Sequence, residues 1–99
     1  MIKVNFKKEK YINKVTVEGH AGYDVSGKDI VCSSVSSIII TTINAIIRID
    51  ENAIEYKQDE GFVEIIILKH TSVINHLIEN MIDLLIQLEK DYKQYIKIN

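Results

Sequence analysis

The chain has 99 residues, 46% of them hydrophobic and 26% charged, with a net charge of −2 and neither proline nor tryptophan. That length accommodates one domain, residues 1–99, and that balance belongs to a chain that folds rather than to one that stays disordered. A mildly acidic chain with a single arginine, Arg48, among twelve basic residues argues against a nucleic-acid backbone as direct partner. The N-terminus lacks a long uncharged apolar run, so no signal peptide is expected. The apolar pattern over 73–88 is interrupted by Asn75, His76, Glu79, Asn80 and Asp83, which excludes a membrane span there. One cysteine without a disulfide partner fits the cytoplasm. So short a chain buries only about 60–65% of the surface its unfolded form exposes, which makes a homodimer a reasonable expectation on size alone.

Ile2, Val4 and Phe6 alternate with Lys3 and Asn5, the period of a half-buried strand. Lys7–Lys10 is charged and reads as a turn; its lysines, Lys7, Lys8 and Lys10, are those of a solvated basic corner. Tyr11–Glu18 resumes the alternation with Val15 and Val17 on one face, so the first two strands are expected to pair antiparallel. From Val35 the apolar residues Ile38, Ile39, Ile43, Ile46 and Ile49, with Thr42, recur at three- and four-residue steps, which is helical spacing. The β-branched side chains are poor helix formers, so packing must hold this helix. Asp29 or Ser33 is its N-cap, and its end falls near Ile49–Glu51.

Ile54 and Tyr56 open a third strand, and Asp59-Glu60-Gly61 predicts a three-residue turn. The strand from Phe62 to Lys69 contains Ile65, Ile66, Ile67 and Leu68, a run that predicts cover on both faces. Thr71 or Ser72 caps a last helix whose stripe is Ile74, Leu77, Ile78, Met81, Leu84, Leu85, Leu88 and Tyr92. The order strand-strand-helix-strand-strand-helix predicts a single small α+β domain, an antiparallel-rich sheet packed by two helices.

The stretch with chemistry in it is Gly19–Ser36, GHAGYDVSGKDIVCSSVS. It holds the only cysteine, Cys32, at a helix entrance, where backbone N–H groups and the helix dipole favour a thiolate. His20 stands at a strand end twelve positions earlier, between the small residues Gly19 and Ala21. Gly19, Gly22 and Gly27 make the intervening loop permissive of unusual backbone angles and of another chain's close approach. A cysteine nucleophile with a histidine base needs these parts, and a small cysteine protease is the expected activity. Asp29, besides capping, is a candidate to orient His20. Ser36, four residues after Cys32, shares its helix face.

The plainer reading makes Cys32 a small buried hydrophobe and His20 a surface histidine. A non-catalytic binding or assembly module that docks on a partner chain is a second possibility, supported by the basic turn and the long apolar stripe. A redox sensor would want a resolving cysteine, and the sequence has none. His70 and His76 read as structural. One cysteine with three scattered histidines matches no zinc spacing, and neither phosphate-loop pattern is present, so no metal or cofactor is expected.

G-H-A-G-Y at 19–23, G-x-D-I-V-C at 27–32 and S-x-V-S at 33–36 together resemble the ribosomal-processing cysteine proteases, the Prp family. The resemblance extends over the chain in length and element order. It implies Cys32 as nucleophile, His20 as general base, Asp29 and Ser36 in supporting roles, and the loop bounded by Gly19 and Gly27 as a mobile segment admitting substrate. It further implies a homodimer whose substrate is the precursor of a large-subunit ribosomal protein, cut to remove an N-terminal extension with apolar and aromatic residues before the cut. Ser33 and Ser34 depart from the alanines more usual in the family after the cysteine, a small-for-small exchange that leaves the pair untouched.

Overall fold

The computed structural model describes residues 1–25 and 27–99; position 26, inside the glycine-rich stretch, lies outside the described residues. The element order is β1 (Ile2–Lys8), β2 (Ile12–Glu18), α1 (Ile30–Ile49), β3 (Ile54–Asp59), β4 (Phe62–Ile67), α2 (Ser72–Asp91) and β5 (Ile96–Ile98). Among the described residues the strands form one sheet in the order β3-β4-β2-β1-β5. As expected, β1 and β2 pair antiparallel, as do β2 with β4 and β3 with β4. The α+β domain of the sequence reading is therefore the one observed.

Period-two alternation decides which face is buried. Cross-strand neighbours stack inward in rows: Val4 opposite Val17 opposite Val63, and Phe6 opposite Val15 opposite Ile65. Both helices close over this face and touch each other, adding Val31, Val35, Ile39, Ile43 and Ile46 from α1 and Ile74, Ile78, Met81, Ile82 and Leu85 from α2 to the core. The reverse face carries Lys14, Thr16 and Glu64, with Lys14 and Glu64 ion-paired at 3.3 Å. The run Ile65–Leu68 is thus covered on one face only. Ile65 and Ile67 are buried, Ile66 is half-buried opposite Lys14, and Leu68 is exposed beyond the strand end.

Other differences have local causes. The turn between β3 and β4 has two residues, since Asp59 pairs directly with Phe62 and only Glu60 and Gly61 remain. Leu84 is exposed while Ile82 is buried, so α2 presents a face rotated from the expected stripe. β5, absent from the sequence reading, is three residues long and pairs parallel with β1. It is fixed from outside its own sequence: Ile98 N–H donates to Glu89 Oε2 at 2.7 Å and Asn99 N–H to the Val4 carbonyl at 2.9 Å.

By length and composition α1, more apolar than the 73–88 segment, is long enough to cross a membrane. Six of its residues, Val31, Val35, Ile39, Thr42, Ile43 and Ile46, are buried in the domain, which is the behaviour of a core helix. Thr42 satisfies its hydroxyl on the Ile38 carbonyl at 2.8 Å.

Candidate active site

Three pieces of chain converge at one end of the sheet: the C-terminal end of β2, the N-terminus of α1 and the β3–β4 turn. Gly19 follows β2 with φ +96, and a Cβ there would collide with the Met1 carbonyl, so only glycine lets the strand end pass this closely. Its N–H donates to the Gly61 carbonyl at 2.9 Å, stitching the strand end to the turn. His20 comes next and is exposed, whereas Ala21 turns inward and is buried.

Ala21 closes the gap that the sequence left open. Its N–H donates to Cys32 Sγ at 3.3 Å, so the residue after the histidine touches the sulfur across eleven positions of chain. A negatively charged sulfur accepts such a bond more strongly than a neutral one. Cys32 is the third residue of α1 and is half-buried.

Asp29 is the N-cap. Its Oδ1 accepts from Val31 N–H and Cys32 N–H, each at 3.0 Å, and its Oδ2 from Tyr23 N–H at 2.9 Å and Asp24 N–H at 3.3 Å. Burial opposes its charge, but the N–H donors of Cys32, Asp24, Tyr23 and Val31 prevail and hold the carboxyl below its ordinary value of 3.8. The candidate role of orienting His20 does not match this geometry. The carboxylate is committed to four backbone amides, one of them the N–H of Cys32 itself, and it clasps the loop to the helix.

Two cavities meet at His20 and Cys32. One, of about 200 Å³, is largely apolar and runs between α1 and the β3–β4 hairpin, lined by Val35, Ile39, Ile40, Ile43, Phe62 and Val63. The other, of about 580 Å³, is mixed in polarity and lined by Gly22, Asp24, Gly27, Ser33, Ser37 and Glu60. His20, Cys32 and Ser36 line both. All the expected site residues therefore gather here, although His20 and Cys32 are not themselves hydrogen-bonded in this state. Among the described residues no group of three or more His, Cys, Asp or Glu side chains is placed to hold a metal ion. His70 is far from this chemistry in kind: it stacks on Tyr11 with ring centroids 4.9 Å apart and bonds Asn75.

Sequence reasoning missed two contributors. Tyr23 leaves the loop to sit edge-on to Tyr92 and Tyr95, at 5.7 and 5.1 Å between centroids. Gly61, read only as a turn residue, lies against the His20 ring. Only the lone aromatic in the glycine loop hinted at the first.

Comparison with known proteins meets this geometry. The model of the family Cysteine protease Prp matches residues 1–97. The ribosomal processing cysteine protease Prp of Bacillus subtilis (strain 168) is 29% identical over 91% of this chain and 87% of its own length. Its namesake from Staphylococcus aureus (strain Mu50 / ATCC 700699) is 25% identical over 99% and 95%. A crystal structure of the S. aureus ribosomal processing protease Prp in complex with a covalently linked product peptide superposes with a TM-score of 0.93 at 26% identity, covering 100% of this chain and 98% of that one. With its helix-entrance cysteine, strand-end histidine and the match along nearly its whole length, the chain belongs to the Prp family of cysteine proteases.

Proposed function

We propose that this protease removes the N-terminal extension of a large-subunit ribosomal protein, with Cys32 as nucleophile and His20 as general base. The observation that carries the reading is the Ala21 N–H on Cys32 Sγ, which joins the strand end bearing the histidine to the helix entrance bearing the thiol where two cavities meet. The curated relatives are named for ribosomal processing.

In this mechanism His20 takes the Cys32 proton and the thiolate attacks the scissile carbonyl. The tetrahedral intermediate collapses to a thioester carrying the N-terminal fragment, and His20 protonates the departing amine. Water, deprotonated by His20, then releases the fragment and restores the thiol. The Cys32 N–H already donates to Asp29, so it is not a free donor for the oxyanion. The apolar cavity suits apolar and aromatic residues before the cut, and a net charge of −2 complements a basic ribosomal substrate. Asp29 and Ser36 support the pair, the loop between Gly19 and Gly27 opens for the peptide, and the working form is a cytoplasmic homodimer with no cofactor.

The test is incubation of the wild type and a Cys32→Ala variant with a peptide copying the ribosomal extension, read by mass spectrometry. One cut by the wild type and none by the variant is expected. Intact peptide with a folded wild type would instead favour a non-catalytic assembly module.

A further inference from the structure

Nothing on its own strand end orients the His20 imidazole: its neighbours Gly19 and Ala21 are small, the ring is exposed, and the Asp29 carboxylate is spent on four backbone amides. The ring lies instead against the bare face of Gly61. A Cβ on Gly61 would stand 2.9 Å from His20 Nε2, 3.3 Å from Cε1 and 3.6 Å from Cδ2. The platform is fixed relative to the histidine, because the Gly61 carbonyl accepts the Gly19 N–H, one residue before His20.

From this geometry we infer that Gly61 is a positioning residue, whose missing side chain gives the His20 ring the place from which it serves Cys32. The inference rests on the protease reading and adds to it a role for the β3–β4 turn. The atoms a Cβ would strike are the far end of a side chain rather than backbone, so the imidazole swings aside and the core stays intact. Catalytic geometry suffers where folding does not.

Gly61 also has φ +69, so an ordinary substitution mixes backbone strain with the loss of space. Chirality separates the two. L-Alanine at position 61 points its methyl at the ring and strains the backbone; D-alanine accepts the positive φ and points its methyl away. Both proteins are made as full chains by chemical synthesis beside the wild type. NMR reads the contact between the His20 ring protons and any proton of residue 61, Hα or methyl, and peptide cleavage reads kcat/KM against pH.

With Gly61→Ala the ring contact disappears, kcat/KM falls on the order of 10- to 100-fold, and the limb of the pH profile that reports the base moves while the core methyl spectrum persists. With D-alanine the contact and the pH profile stay as in the wild type. A folded Gly61→Ala protein that keeps contact and rate overturns the inference, and so does a D-alanine protein as impaired as the L form. Should the wild type leave the peptide uncut, the protease reading fails, and the ring contacts alone decide: loss with L-alanine and retention with D-alanine supports the placement, any other pattern overturns it.

Discussion

The carboxylate of Asp29 accepts N–H donors from both sides, two from the first turn of α1 and two from the loop at Tyr23 and Asp24. The capping half of this was readable, since Asp three positions before the third helical residue is a common N-cap. The loop half was not, because nothing in the spacing says which way the second oxygen points. Its depressed pKa sets a sign. A carboxyl whose folded value lies below its ordinary 3.8 contributes stability that is fully present above that value and is lost as pH falls through the folded value. Asp50, held down chiefly by its hydrogen bond from Lys69 at 2.7 Å, acts the same way. An Asp29→Asn variant is therefore expected to melt below the wild type at pH 6, with the gap narrowing as pH drops below about 3.8 and through the lowered folded value. Thermal melts of both proteins across that range check it; a gap independent of pH would show that the charge on Asp29 is immaterial.

α1 brings Cys32 to the site and supplies much of the core, from a sequence whose β-branched residues would not hold a helix alone. Its period was legible because the buried side chains fall at three- and four-residue steps. Ile46 is fully buried, and Ile46→Ala is expected to cost about 2–5 kcal/mol, a large part of the 5–15 kcal/mol typical of such domains. Urea titration measures it, and a loss well under 1 kcal/mol would mean the core closes over the gap. Tyr23 tests the loop. Its edge contacts to Tyr92 and Tyr95 are worth about 0.5–1.5 kcal/mol each beyond burial. Tyr23→Ala is expected to change kcat/KM more than the melting temperature, and the reverse would make Tyr23 a packing residue only. The strand β5 and the two-residue β3–β4 turn escaped the sequence for a shared reason. Three residues are too few to show a period, and turn length follows from the register of Asp59 with Phe62.

For the whole molecule, the architecture followed from alternating patterns at Ile2–Phe6 and Val15–Val17 and from two long apolar stripes, so the class of fold was open to reading. The site was half readable. The glycine-rich block marked Cys32 and His20, but their approach depends on Ala21 reaching the sulfur and on the Gly19–Gly61 bond, contacts between elements that no local pattern encodes. The junction of two cavities at the pair likewise belongs to the assembled fold. The central claim is that this assembled pair works through the sulfur of Cys32. Its most direct measurement is the intact mass of the wild-type protein quenched with acid during turnover of the extension peptide, followed by digestion to locate any adduct. The expected result is the chain plus the acyl mass of the N-terminal fragment, on the segment containing Cys32 and missing from a His20→Ala variant. Cleavage that proceeds with no adduct, or with one on another segment, would contradict it.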